Sequence, residues 1–278
     1  MSRNSHEKHD HDRGLHADLE LIHARLGRRR MLGWLAGASL VPLIGCAKKL
    51  ADAADGGDVA ANGGSGSEAG SCATIPGETA GPYPGDGSNG ANALVLSGIV
   101  RSDIRSSIAG VTGTAEGVPL EVRLRLLNNA DGCAPLEGYA VYLWHCDRDG
   151  NYSLYTLPSQ NYLRGVQEAD SDGFVTFKTV FPGCYSGRWP HIHFEIYPGL
   201  SSANASGNKL HTSQLALPVD PCNAVYATSG YSASVGNLSR ISLETDNVFN
   251  DGVSLQLASV TGSVSAGYVA TLDVGIAD

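Results

Sequence analysis

Leu120-Glu121-Val122-Arg123-Leu124-Arg125-Leu126-Leu127 decides the fold class. Leu120, Val122, Leu124 and Leu126 alternate with Glu121, Arg123 and Arg125. A helix would repeat its apolar residues near every 3.6 positions; a period of two puts one set inside and the other in water, as on a half-buried strand. Working outward, Phe174 to Val180 alternates in the same way and is closed by the turn residues Phe181-Pro182-Gly183. Tyr139 to Cys146 is apolar on both faces and stops at Asp147-Arg148-Asp149-Gly150. His191 to Tyr197, Leu94 to Val100, Ser239 to Leu243, Val253 to Val260 and Val269 to Val274 are also strand-like. No stretch offers a long amphipathic helix, and only short helical pieces are expected, for example near Pro221 to Tyr226. The expectation is an all-β chain: a β-sandwich of short, mostly antiparallel strands with long loops and few short helices.

Composition agrees with a packed domain. Of 278 residues, 42% are hydrophobic and 17% charged, enough apolar content for a core. The 35 glycines suit many tight turns. The net charge of −9, with no Lys/Arg cluster after residue 50, argues against a nucleic-acid partner.

Residues 1–46 read as an address. Arg28-Arg29-Arg30 precedes an apolar run from Met31 to Gly45, too short to span a bilayer comfortably. A basic segment before a short apolar run is the pattern of an export signal. Arg28-Arg29, followed by Met31-Leu32, resembles the twin-arginine signal, and Leu43-Ile44-Gly45-Cys46 resembles a lipobox. The expected location is therefore periplasmic or at the cell surface, with membrane contact only through a lipid on Cys46. His6, His9, His11 and His16 sit in the charged tail before the signal and are not read as ligands. Residues 47–71, rich in Ala, Gly, Asp and Ser, read as a flexible tether to a domain over 72–278.

Cys72, Cys133, Cys146, Cys184 and Cys222 remain beyond the signal. An exported chain can form disulfides. Cys146, in an apolar strand, is expected to be a buried free thiol; the other four could form two bridges of open connectivity.

His191-Ile192-His193 is the sharpest chemical feature. Residues i and i+2 of a strand share a face, so both imidazoles point together and can chelate a metal. The Pro182-Gly183 turn allows Tyr185 to fold back toward the pair, and Tyr152 follows the turn at Gly150. A metal cation favours the ionised phenol. Two phenolates and two neutral imidazoles balance a trivalent iron better than a divalent zinc. Arg188, three residues before His191, supplies a fixed positive charge.

Several ordered stretches carry a resemblance. They are Glu78-Thr79-Ala80-Gly81-Pro82-Tyr83-Pro84, Trp144 through Tyr152, Arg164-Gly165-Val166-Gln167, Asp170 to Phe177, and Phe181 through Phe194. Together they resemble the intradiol ring-cleaving dioxygenases, the family of protocatechuate 3,4-dioxygenase and catechol 1,2-dioxygenase. The resemblance implies a mononuclear non-haem Fe(III) held by Tyr152, Tyr185, His191 and His193, with Tyr185 leaving the metal when substrate binds. It implies that Arg188 lies beside the substrate ring, that Gln214 supports the site, and that Gly81, Pro82 and Tyr83 line the pocket mouth. The implied partners are a catecholic substrate and O2, and the implied product is a muconate-type diacid. The sequence departs from the well-known members in its export signal, in a shorter segment between Tyr185 and His191, and in lacking their long helical N-terminal region. Alternative readings are a non-catalytic exported lipoprotein binding a metal or carbohydrate, and a copper or zinc site built on the histidine pair.

Overall fold

The computed structural model describes residues 72–278. The expected export signal, Cys46, the His-rich tail and the 47–71 tether lie outside the described residues. Among the described residues the strands are β1 (Pro119–Asn128), β2 (Ala134–Pro135), β3 (Ala140–Trp144), β4 (Arg164–Glu168), β5 (Phe174–Val180), β6 (His191–Tyr197), β7 (His211–Ala216), β8 (Ser259–Ser263) and β9 (Gly267–Ile276). They form two sheets. One has the order β2-β1-β9-β8 with β5 also paired to β1; the other runs β4-β3-β6-β7. All pairings are antiparallel except β1 with β9. The β-rich two-sheet architecture read from the alternation is thus observed.

One apolar core draws on both sheets. Leu120, Val122, Leu124 and Leu126 of β1 meet Val175 and Phe177 of β5, Val141 and Leu143 of β3, and Ile192, Phe194 and Ile196 of β6. Each such side chain contributes roughly 1.5–3 kcal/mol by leaving water. The second sheet is buried on its other face as well. There Tyr142, Trp144, Tyr152, Val166 and Tyr197 pack with Leu94 and Ile99 from a covering loop. That is why every residue of β6 is buried, the histidines included.

Some expectations need correction. Leu94 to Val100 is a series of turns, because Gly98 takes φ +87° and Leu96 and Ile99 amides bond to carbonyls three residues back. Leu94 and Ile99 still reach the core, but at a spacing no strand uses. Ser239 to Leu243 is also turn, since Ser239 ends the helix Ser232–Leu238. Of Val253 to Val260, only Ser259 and Val260 belong to a strand; Gln256 and Leu257 amides both bond back to the Val253 carbonyl. The helix expected near Pro221 is present as Val219–Tyr226. One disulfide joins Cys72 to Cys133, and Cys146 is a buried thiol as expected. A second bridge is absent: Cys184 and Cys222 are buried free thiols in the apolar core. Cys184 Sγ instead faces the Arg188 carbonyl at 3.5 Å, and burial pushes its thiol up to about 12.

Candidate metal centre

The register of the second sheet sets the site. Trp144 of β3, His193 of β6 and Gln214 of β7 are direct cross-strand neighbours, so they form one row on the face away from the shared core. His191 lies two residues along the same face.

The imidazoles are held differently. His191 Nδ1 lies 2.5 Å from the Trp189 carbonyl, so it carries the proton and Nε2 presents a lone pair. Pro190 keeps Trp189 extended, and the Trp189 indole N–H donates to Leu217 O at 2.8 Å. His193 Nδ1 is buried without a partner; its ring is clamped flat on Trp144, with centroids 4.9 Å apart and 6° between planes. Gly81 also approaches this ring: it takes φ +68°, and a Cβ there would lie 3.4 Å from His193 Cε1. Burial, then the Arg188 charge, holds His191 well below the ordinary histidine range; burial, then His191, does so for His193. Both are therefore neutral, the form that binds metals.

Two loops bring in the phenols. Asp147 Oδ1 accepts the amides of Asp149 and Asn151, fixing the turn before Tyr152. Close approach of this turn to the Pro182-Gly183 turn requires two glycines. A Cβ at Gly183 would sit 2.4 Å from Arg148 O, and one at Gly150, where φ is +86°, 2.9 Å from Tyr185 Cβ.

Four donor atoms converge as a result. His191 Nε2 and His193 Nε2 are 3.0 Å apart. The Tyr152 oxygen is 3.5 Å from His191 Nε2 and 3.3 Å from His193 Nε2. The Tyr185 oxygen is 3.3 Å from His191 Nε2. Ligand bonds of about 2.0–2.1 Å around one four-coordinate ion separate the donor atoms by roughly 3.3 Å. The spacing fits a single ion. Neutral phenols at these distances can donate to imidazole nitrogen, whereas phenolates facing imidazole lone pairs would repel without a cation between them. Burial, then Tyr185, raises the Tyr152 phenol well above its ordinary range, so a phenolate there calls for a bound cation. Among the described residues no group of three His, Cys, Asp or Glu gathers, so the phenols complete the only donor set found around this pair.

Arg188 flanks the cluster, with Nη1 3.5 Å from His191 Nε2. Its Nη2 donates to Gln214 Oε1 at 2.7 Å, and Gln214 Nε2 donates to the Thr79 carbonyl at 2.9 Å. Tyr83 packs its ring on Tyr152 at 4.9 Å. Pro82 turns its carbonyl outward to Asn89 Nδ2, at 2.6 Å. Of the candidate site residues, Tyr152, Tyr185, His191, His193, Arg188, Gln214, Gly81 and Tyr83 thus lie around one site, and Pro82 is placed only as the residue between Gly81 and Tyr83. Sequence reasoning missed Asp246, whose buried carboxylate accepts Arg188 Nε at 2.9 Å and Trp189 N at 2.6 Å. It sits in a polar turn, Glu244-Thr245-Asp246-Asn247, that carries no local signal. It also missed Trp144 as the platform for His193, and Arg164. Arg164 is buried and donates to Pro84 O, Tyr83 O, Tyr142 Oη, Ser153 Oγ and Ser153 O, pinning the loop that carries Tyr83.

Comparison with known proteins bears on the family and the fold. A dioxygenase family model (Dioxygenase_C) matches residues 101–192, which include Tyr152, Tyr185, Arg188 and His191. An intradiol ring-cleavage dioxygenase from Tetranychus urticae is 27% identical, with 74% of this chain and 95% of that one covered and a TM-score of 0.57. Together these similarities indicate the intradiol ring-cleaving dioxygenase family. Within that family, chlorocatechol 1,2-dioxygenase of Rhodococcus opacus is 30% identical over 118 residues, 33% of this chain and 43% of that protein. Catechol 1,2-dioxygenase of a Pseudomonas strain is 29% identical over 106 residues, 31% of this chain and 33% of that protein. The chain therefore matches under half the length of these two intradiol dioxygenases.

Proposed function

We propose that Tyr152, Tyr185, His191 and His193 hold one ferric ion, and that the protein opens the ring of a catechol between its hydroxylated carbons. Both atoms of O2 enter the product, a muconate-type diacid. The observation that carries this reading is the meeting of two phenol oxygens and two imidazole nitrogens at 3.0–3.5 Å. Hard anionic phenolates with neutral imidazoles suit iron(III), which when bound supplies a Lewis acid that draws electron density from the catechol oxygens.

The chain's own groups provide the rest. Tyr152 is enclosed, whereas Tyr185 is only part-buried and stands nearer solvent. Tyr185 is thus the phenol placed to take a proton from an arriving catechol hydroxyl. Arg188 Nη1 lies beside His191, where negative charge builds as the ring is attacked, and Gln214 and Asp246 keep it from swinging away. Tyr83 and Tyr152 form an aromatic wall against which a flat ring can pack.

Protein purified with iron should be red-brown, carry one iron per chain and consume one O2 per catechol. Tyr185→Phe should lower turnover by roughly 10²–10⁴-fold and alter the visible band. A colourless, iron-free protein that consumes no oxygen with any catechol would overturn the proposal in favour of a binding module.

We also propose export through the twin-arginine signal, with a lipid on Cys46. Labelled palmitate should enter the wild-type chain and not Cys46→Ser; equal labelling would sink the lipid assignment.

A further inference from the structure

We propose that Ser234 and Asn237, on the helix Ser232–Leu238, are positioning residues for Tyr185. They fix the peptide next to it, so the phenol leaves the metal by turning on a held backbone and returns to the same place. The inference rests on the ring-cleaving reading above and adds to it a helix outside the donor set.

Phe181 to Cys184 lead from β5 to Tyr185 and are buried. A buried loop needs a partner for each backbone polar group. Here side chains take every carbonyl. The Tyr231 hydroxyl donates to Phe181 O at 2.8 Å and the Tyr226 hydroxyl to Pro182 O at 3.0 Å. The Cys146 thiol faces Gly183 O at 3.5 Å. The Phe181 and Gly183 amides donate to Val118 O and Asp147 O, at 2.8 and 3.0 Å. Cys184, the residue before Tyr185, is held through both its amide and its carbonyl. Its N–H donates to Ser234 Oγ at 2.9 Å, and its carbonyl accepts Asn237 Nδ2 at 2.8 Å. Ser234 and Asn237 are three apart on one helix and so share a face. Arg240 Nη2 donates to Asn237 Oδ1 at 2.7 Å, which keeps the amide nitrogen turned to Cys184.

The far side of Tyr185 is anchored too. Asp246 accepts Arg188 Nε at 2.9 Å and Trp189 N at 2.6 Å. Between the two anchors stand Tyr185, Ser186 and Gly187, half-buried or exposed, with Gly187 at φ +84°. Three residues between two fixed points leave little length for a loop to open, whereas rotation of the Tyr185 side chain disturbs neither anchor. Losing a Cys184 bond would let the phenol drift. It would then compete less with an arriving catechol, and would be worse placed to take its proton.

Asn237→Asp keeps the size and the Arg240 contact but turns an oxygen, not a donor, to the Cys184 carbonyl. Ser234→Ala removes the acceptor of the Cys184 amide. Asn237 is only part-buried, so its variant should fold even if Ser234→Ala does not. Ser239→Ala is the control: it lies at the end of the same helix, and its hydroxyl bonds the Gly236 carbonyl. Each iron-loaded protein is titrated with catechol, and its visible band, KM and kcat are set beside those of wild type and Tyr185→Phe. In Asn237→Asp and Ser234→Ala the band should move part-way to that of Tyr185→Phe. KM and kcat should both fall roughly fivefold, the worth of about one hydrogen bond. Ser239→Ala should match wild type. A helix that only stabilises the fold would lower the melting temperature of the iron-free variants and leave band and KM unmoved, and that result overturns the proposal. A KM that rises does so as well. A wild-type band that no catechol shifts would instead sink the ring-cleaving reading, and this inference with it.

Discussion

His191 and His193 share one strand face, yet different forces aim them. His191 is fixed by its hydrogen bond to the Trp189 carbonyl, while His193 depends on stacking against Trp144. A buried ligand without a hydrogen-bonded partner loses its orientation easily once its platform is removed. Trp144→Leu should therefore weaken iron binding by roughly 10–100-fold, the range seen when groups supporting metal ligands are lost. Trp144→Phe should restore most of it. Competition with a chelator measures both; equal losses in the two variants would argue against the stacking role. At this scale the histidine pair was legible, because i and i+2 on a strand need no tertiary knowledge. Asp246 was not, since nothing local joins it to Arg188, 58 residues away.

Paired loops and strands govern how the phenols arrive. Gly183 allows the Tyr185 loop to touch the Arg148 backbone, and Gly150 allows the Tyr152 turn to touch Tyr185. Gly183→Ala should cost about 1–3 kcal/mol and displace Tyr185, seen as a lower melting temperature together with an altered visible band. A normal band would mean the loop tolerates the change. His145, just beyond β3, ties the sheets together: Nδ1 bonds the Cys146 carbonyl and Nε2 the Thr179 hydroxyl of β5, each at 2.7 Å. Burial lowers this histidine from 6.5 to about 4. Above 6.5 both folded and unfolded states leave it neutral. Between 6.5 and 4 the unfolded chain gains a proton that the folded state refuses, so stability falls with falling pH, by up to about 3 kcal/mol. Denaturant midpoints of the iron-free protein from neutral to about pH 4.5 should fall less steeply in His145→Gln than in wild type.

For the described domain as a whole, the Cys72–Cys133 disulfide closes a separation of 61 residues and ties the start of the described chain to the loop between β1 and β2. Removing both cysteines as Ser should cost about 2–4 kcal/mol, or roughly 5–15 °C in melting temperature at this size. Melting of the double variant beside wild type checks this, and an unchanged temperature would mean that native packing alone holds that end. The colour of the iron-loaded variant should survive, because neither cysteine borders the donor atoms. Cys184 and Cys222 show the opposite case: an even number of candidates invited a second bridge, but apolar burial keeps them as thiols.

Periodicity by itself determined the strands with one wet and one dry face. β1 and β5 alternate because one side meets water, and their ranges were readable almost to the residue. The His-x-His pair and the turn residues before each tyrosine were likewise local facts. Tertiary structure decided what has no local signature. β4 and β7 carry polar residues such as Arg164, Gln167, Ser213 and Gln214 whose places are set by neighbouring strands and covering loops, so no simple alternation marks them. The turn around Asp246 likewise gains its meaning only by folding against Arg188. A hydrogen bond or a neutralised charge depends on distance in space, and sequence spacing reports that distance only within a single element.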